Sequence, residues 1–267
     1  MLAADPTAIL ANRSWDVLVA GAGAAGCAAA LGARASGAGA VLLVDLAGRR
    51  GGALAAMGLL DAQGDDEALE QAGVRRSYTT ALLEIVEGLR LRLLSPGGAW
   101  RARARAVVLA TGGREETRAN LALPGTRPAG VLTAGAALRL LTTTGRRPGG
   151  RAVIAGGGRW AHVAAGALER AGASIATIVP AVARVDGWPR VSGVVAGDGR
   201  HECDLLVLAT RLLPWLPPAL AGAAGLPGVF VAGSAAAGEL DEQASAESGA
   251  AAGRAAAAWA LGDRGTR

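Results

Sequence analysis

Six short runs along the chain are apolar at nearly every position: "WDVLVA" from Trp15, "AVLLVD" from Ala40, "ARAVVLATGG" from Ala104, "RAVIAG" from Arg151, "CDLLVLAT" from Cys203 and "GVFVAG" from Gly228. Runs of this kind, without polar alternation, belong to strands covered on both faces, as in a parallel sheet between helices. Two of them are followed by a glycine-rich turn and an alanine-rich helical stretch. The segment "TTALLEIVEGLRLRLLSPGGAWRARARAVV" reads instead as a small β-meander, around Ala81 to Ala106. The 35 residues from Gly228 to Gly262 hold a strand, a turn and a long small-residue helix. The pattern predicts an α/β fold.

The first glycine turn is "GAGAAG", with Gly21, Gly23 and Gly26 in GxGxxG spacing. Each glycine has its own task. Gly21 permits the tight turn, Gly23 lets backbone approach a pyrophosphate, and Gly26 lets the helix pack closely on the strand. The helix predicted from about Ala24 points its first amides, including those of Ala24 and Ala25, at such an anion. The next strand ends in Asp45, followed by Leu46, where an acid accepts hydrogen bonds from ribose hydroxyls. The second turn, "GGGRWA", places Gly156, Gly158 and Ala161 in GxGxxA spacing, with Arg159 inside the loop. Its following strand, "SIATIVP", ends in Val179-Pro180. No acid stands there for an NAD ribose, and no arginine for an NADP phosphate.

Composition narrows the classes. Hydrophobic residues are 51% and charged residues 18%, enough for a core and too apolar for disorder. Aromatics are only 3%, so the core is Ala, Leu and Val. The formal net charge is +5, and all 27 basic residues are arginine, as expected of a GC-rich bacterial genome. The arginines are scattered apart from pairs such as Arg49-Arg50, Arg75-Arg76 and Arg146-Arg147, without an aromatic stripe, which argues against nucleic-acid binding. The two cysteines, Cys27 and Cys203, form no CxxC, so neither a disulfide framework nor a zinc or iron–sulfur site is expected. No leader peptide is recognisable, and no uninterrupted apolar run reaches the ~20 residues of a membrane span. A cytoplasmic protein is expected.

Three further segments follow in order: the doublet Gly51-Gly52 after Asp45, the Ala110-Thr111-Gly112 strand end, and Gly233-Ser234 ahead of the final helix. With the two glycine loops they resemble the flavoproteins that carry two dinucleotide-binding domains, the superfamily of the pyridine nucleotide–disulfide oxidoreductases. The stretch "LPGTRPAGVLTAGAALRLL" carries a narrower resemblance. It is similar to the larger subunits of heteromeric dye-linked dehydrogenases and oxidases: opine oxidase, hydrogen cyanide synthase, proline or hydroxyproline dehydrogenase, and relatives of the sarcosine oxidase alpha subunit. The likeness runs, with gaps, from Trp15 to Leu261. It implies an FAD-type Rossmann domain over residues 1–122 and 216–267, with an abbreviated second Rossmann-like domain over 123–215. It implies FAD held by Gly21, Gly23 and Gly26 at the pyrophosphate, Asp45 at the ribose, and Gly51-Gly52, Thr111-Gly112 and Gly233-Ser234 along the flavin side. The N-terminus of the final helix, at Ser234–Ala237, would aim its amides and positive dipole end at the flavin. The chain departs from the superfamily at Ser234, where most members have Asp.

No catalytic constellation stands out. No CxxxxC follows the glycine doublet, so dithiol–disulfide exchange is not expected. His162 follows the second loop and His201 lies in a polar turn, "DGRHECD"; both read as structural or solvated. Glu239, Asp241 and Glu242 could orient a cationic amine or simply cap the last helix. Trp215 lies in a proline-rich crossover. The resemblance therefore implies a redox subunit: an FAD-binding chain passing electrons from an amino-acid or secondary-amine site on a partner flavoprotein, some relatives adding an iron–sulfur component. Two alternatives stay open: a non-catalytic scaffold subunit, and a stand-alone NAD(P)H-dependent flavin reductase. A nucleotide at the second loop (NAD(P), ADP or ATP) also stays open.

Overall fold

The computed structural model describes residues 10–57, 64–197, 199–238 and 241–262. The chain forms two compact units. One comprises Met1–Ala55, Leu60–Gly113 and Leu213–Arg267, the other Ala56–Leu59 and Arg114–Leu212. The crossings fall at 113/114 and 212/213, so the residues around 114–122 belong to the second unit.

The first unit opens with β1 (Ser14–Ala20), α1 (Ala24–Ala35) and β2 (Val41–Val44). Then come α2 (Gly52–Ala56), α3 (Gly64–Gln71), β3 (Arg75–Ser77), β4 (Ala81–Val86), β5 (Arg90–Ser95) and β6 (Gly98–Leu109). Strand order is β3-β2-β1-β6-β5-β4. The β3–β2, β2–β1 and β1–β6 pairs are parallel, and β6–β5 and β5–β4 are antiparallel. The meander is thus no separate layer. β6 is 12 residues long and joins it to the parallel sheet.

β7 (Gly113–Glu115) carries the chain across. The second unit runs through β8 (Val131–Thr133), α4 (Ala134–Thr144), β9 (Arg151–Gly156), α5 (Gly158–Arg170) and β10 (Ser174–Val179). It continues as β11 (Val182–Asp186), β12 (Gly193–Ala196), β13 (Gly199–Glu202) and β14 (Leu205–Ala209). The parallel sheet has the order β10-β9-β14-β8, and β11-β12-β13 form an antiparallel one. His201 lies in β13 opposite Val194 rather than in a turn, because the glycines at 197 and 199 make the reversal earlier. β15 (Leu212–Pro214) returns the chain, followed by α6 (Pro218–Ala221), β16 (Val229–Val231), α7 (Ser234–Ala237) and α8 (Glu242–Gly262). β16 pairs in parallel with the C-terminal half of β6.

Why the apolar runs do not alternate is visible in β1. Val17 and Val19 join one buried cluster with the alanines of α1 and α8, while Leu18 and Ala20 join another with Leu42, Leu91 and Trp100. Both faces are covered, so both parities are apolar. The shortage of aromatics is met by close approach instead of bulk. α8 lies against α1 so tightly that a Cβ on Gly249 would sit 1.9 Å from the Ala25 carbonyl oxygen, and one on Gly253 2.1 Å from that of Ala29.

The second unit is tied by Asp204, just ahead of β14. Its carboxylate accepts from the Gly150 amide at 2.9 Å and the Arg151 amide at 2.8 Å. Partial burial opposes ionisation of Asp204, but the two amides and Arg190 outweigh it and hold the carboxyl below the usual carboxylate range. Asp204→Ala should cost the second unit about 1–2 kcal/mol at neutral pH, the low part of the range for amides left without their acceptor, since these are only partly buried. A group whose folded pKa is depressed stabilises above its unfolded pKa, and that contribution fades as pH falls through the lower folded value. Urea unfolding of wild type and variant should therefore differ at pH 7 and converge in strong acid.

Candidate functional site

The C-terminal ends of β1, β2, β6 and β16 meet at one edge of the first unit, where parallel α/β sheets bind ligands. The loop between β1 and α1 forms this edge. Gly21 has φ +107°, and a Cβ there would lie 2.2 Å from the Ala110 carbonyl oxygen. A Cβ on Gly26 would lie 1.7 Å from the Gly21 carbonyl oxygen. These two glycines are required by the protein's own packing. Gly23 is different. Its backbone is extended at φ −76°, and its nearest neighbour is the Gly52 Cα, 4.0 Å from where a Cβ would stand. Nothing in the protein demands a glycine at 23; a close external ligand would.

α1 begins at Ala24 with Gly23 as its N-cap. No side chain caps it, and its first turn carries no acid. The first amides of a helix have no partner within the helix, so those of Ala24, Ala25 and Gly26 stand available behind a glycine cap. With the helix dipole this makes an anion cradle. Asp45 closes one side. Its Oδ2 accepts from the Ala22 amide at 2.5 Å and its Oδ1 from the Ala47 amide at 2.6 Å. The acid thus holds the loop as well as facing outward from the strand end, while Leu46 is 76% exposed. The Gly51 amide donates to the Ala22 carbonyl at 2.7 Å and brings Gly52 over Gly23.

The remaining predicted residues separate. The Ala110 amide donates to the Ala20 carbonyl at 2.8 Å, which fixes the strand end beside Gly21. Thr111 Oγ1 donates to the Trp215 carbonyl at 2.9 Å, so its hydroxyl serves the chain's own backbone. Gly112 has φ +81° and open space around it. Gly233, at φ +63°, packs against Ala25, and its amide donates to Ser248 Oγ at 3.0 Å. Ser234 starts the single turn α7, which ends at the left-handed Gly238. The long helix is therefore not continuous with Ser234. It starts at Glu242 and is capped by Asp241, whose Oδ1 accepts from the Ala244 amide at 2.9 Å. Asp241 caps, Glu242 lies in the first turn, and Glu239 lies outside the described residues.

Sequence reasoning missed Arg50 and Ser248. Arg50 is 3% exposed beside the glycine doublet. A buried arginine next to Gly-Gly had a signal, the Arg49-Arg50 pair, but its burial is a tertiary fact. Cys27 is buried with its thiol toward the Ala22 carbonyl, and Cys203 is buried in the second unit. Among the described residues no cluster of His, Cys, Asp and Glu has metal-binding geometry. No described helix is long and apolar enough to cross a membrane.

The second loop repeats the architecture. Gly156, at φ +133°, passes so close to β14 that a Cβ would lie 2.0 Å from the Ala209 carbonyl oxygen. Ala161 is fully buried against the sheet. Gly158, at φ +71°, opens α5, which again lacks a capping side chain and a first-turn acid. Arg159 is exposed in that first turn, and His162 Nδ1 is hydrogen-bonded to the Gly158 carbonyl at 2.8 Å. β10 ends without an acid.

Both glycine loops lie within one stretch that matches a known family. Residues 15–210 match the family model described as pyridine nucleotide-disulphide oxidoreductase. The chain belongs to that family. Members of the pyridine nucleotide-disulphide oxidoreductases are FAD-dependent and often use NAD(P). Among solved structures, L-proline dehydrogenase from P. horikoshii matches over 96% of this chain at 21% identity and a TM-score of 0.67. A NAD-dependent persulfide reductase from A. fulgidus matches over 89% at 15% identity and a TM-score of 0.65. Thioredoxin reductase from Lactococcus lactis matches over 93% at 16% identity and a TM-score of 0.66. The chain spans 57% and 58% of the first two and 99% of the third. These likenesses are of fold. No curated protein sequence matches the chain.

Proposed function

We propose that this chain is the FAD-binding redox subunit of a heteromeric dehydrogenase or oxidase acting on an amino acid or secondary amine. The observation that carries the FAD reading is the α1 N-terminus: uncapped amides behind Gly23, where a Cβ would meet no protein atom closer than 4.0 Å. The residues fit a dinucleotide. The Gly23–Gly26 amides would hold the pyrophosphate, Asp45 the adenosine ribose, and Gly51-Gly52, Gly112 and the Gly233-Ser234 turn would lie along the flavin. FAD, when bound, supplies the two-electron acceptor that no side chain provides. The protein's own contribution is positional. Asp45 fixes the loop through Ala22, Ser248 fixes the Gly233 turn, and the positive end of α1 offsets phosphate charge.

The amine branch rests on different support. Dithiol exchange needs a cysteine pair, and the chain has one buried cysteine in each unit. The L-proline dehydrogenase fold covers nearly this whole chain, and the "LPGTRPAGVLTAGAALRLL" stretch agrees with that group. A partner flavoprotein would then carry the amine site. We read the second unit as a retained fold that does not require NAD(P), because β10 ends in Val179, followed by Pro180, instead of an acid.

The test is the visible spectrum of the purified chain, alone and co-expressed with its genomic neighbours, followed by cofactor release and mass analysis. Released FAD, together with proline- or sarcosine-dependent dye reduction by the co-purified complex, is expected. A chain that stays flavin-free with its partners would sink the redox reading and leave the scaffold one. Rapid NADH oxidation by the isolated chain would favour a free-standing reductase.

A further inference from the structure

The outer face of the meander gathers more positive charge than the fold uses. In β5 and β6, buried and exposed positions alternate, and Leu91, Leu93, Trp100 and Ala102 face the core. The exposed positions between them are Arg90, Arg92, Arg101 and Arg103. Register then matters. Arg90 stands directly opposite Arg103, and Arg92 directly opposite Arg101. Opposed residues on antiparallel strands lie about 5 Å apart at Cα, and i,i+2 neighbours about 7 Å. Four guanidiniums therefore rise from a patch only about 5 by 7 Å at its base.

Like charges directly opposite one another destabilise a sheet. Relief here is slight: Arg90 Nε donates to the Glu87 carbonyl at 3.3 Å. Glu84 faces Arg92 across β4–β5 at 3.6 Å, but both side chains are about half exposed, where ion pairs contribute little. Among the described residues the Arg101 and Arg103 side chains have no hydrogen-bond or ion-pair partner. The four arginines line a cavity of about 690 Å³ together with Asn12 and Glu84. That volume lies in the range of small-ligand sites. Asn12 adopts a left-handed backbone at φ 59°, with its amide bonded to the Arg101 carbonyl at 2.8 Å, and so is held at the cavity wall.

We propose that this face binds a compact polyphosphate anion. Guanidinium forks pair with phosphate oxygens two bonds at a time, and four forks against one carboxylate leave an excess of positive charge suited to a di- or triphosphate. The patch is too short for an extended acidic segment or a nucleic-acid backbone. Its neighbours along the strands are Leu94 opposite Ala99, which offer such a polymer nothing. The site lies wholly within the first unit and is independent of the glycine loops, and the proposal does not rest on the redox reading.

The experiment is calorimetric titration of the full chain with inorganic tripolyphosphate at low salt. Wild type is compared with the R101Q/R103Q and R90Q/R92Q double variants, each checked by circular dichroism. Loss of charge-assisted bonds should weaken binding roughly tenfold or more in both variants. Both should melt at a higher temperature than wild type, because neutral pairs replace opposed charges. Titration with ATP separates the sources. Equal affinity for ATP and tripolyphosphate means phosphate alone is read, and tighter ATP binding, lost in the same variants, names a nucleotide. Binding undiminished in both variants, or no tripolyphosphate binding by wild type, would overturn the proposal. So would binding of only an RNA oligomer or a poly-glutamate peptide.

Discussion

Gly23→Ala is expected to leave the first unit folded and to cost it most of its affinity for FAD. The neighbouring change Gly26→Ala is expected to break the loop itself. The two differ in what surrounds them. A methyl at 23 meets only the Gly52 Cα at 4.0 Å, and the backbone there is one that alanine adopts freely. An alanine N-cap is poorer than glycine by less than about 1 kcal/mol, partly offset by a stiffer unfolded chain. Stability should therefore change by no more than about 1 kcal/mol. FAD binding should fall roughly 100-fold, because the methyl keeps phosphate oxygens from charged hydrogen bonds worth about 2–3 kcal/mol. At 26 the methyl would stand 1.7 Å from the Gly21 carbonyl oxygen, a backbone atom that cannot swing away. Overpacking of that kind costs about 3 kcal/mol or more. Flavin titration and urea unfolding of both variants decide the matter. If Gly23→Ala binds FAD as tightly as wild type, no pyrophosphate sits against that loop.

The second large effect concerns stability alone. Gly249→Leu should lower the melting temperature of the first unit by roughly 10 °C, from about 3 kcal/mol or more of misfit. A Cβ at 249 would lie 1.9 Å from the Ala25 oxygen, so α8 must lift from α1. That lift uncovers Ala256, Ala257 and Ala260, all fully buried, and draws Ser248 from the Gly233 amide. Ala255→Leu, on the exposed side of the same helix, is the control and should be close to neutral. Differential scanning calorimetry of the two variants reads the contrast. Equal melting temperatures would mean that the close helix contact is not what holds α8 in place.

Much of this protein is local in the sequence. Both glycine loops, the strands before them and the helices after them appear at the expected places, since strand periodicity and glycine sterics act between near neighbours. α1 starts at Ala24, and β2 ends just before Asp45. What was misread also has a local cause. In "GSAAAGELDEQASAESGAAAG" small and helix-favouring residues run on both sides of Gly238, so one long helix from Ser234 was the natural reading. The left-handed conformation at Gly238 and the Asp241 cap divide it in two. His201 was placed in a turn because its neighbours are polar, yet pairing with β12 makes it a strand residue.

The order of apolar runs and the spacing of Gly21, Gly23, Gly26, Gly156 and Gly158 were sufficient for the α/β class and the two glycine loops, because each strand, turn and helix depends on residues within a few positions of one another. Tertiary structure alone decided the rest. It chose Ala25 and Ala29 as the surface for Gly249 and Gly253, aimed Asp45 at the Ala22 amide, and buried Arg50. It also set Arg90 opposite Arg103 and Arg92 opposite Arg101 through the β5–β6 register. These are contacts between different elements. They depend on strand register and helix approach, which follow from how the whole core packs and leave no periodic trace in the residues themselves.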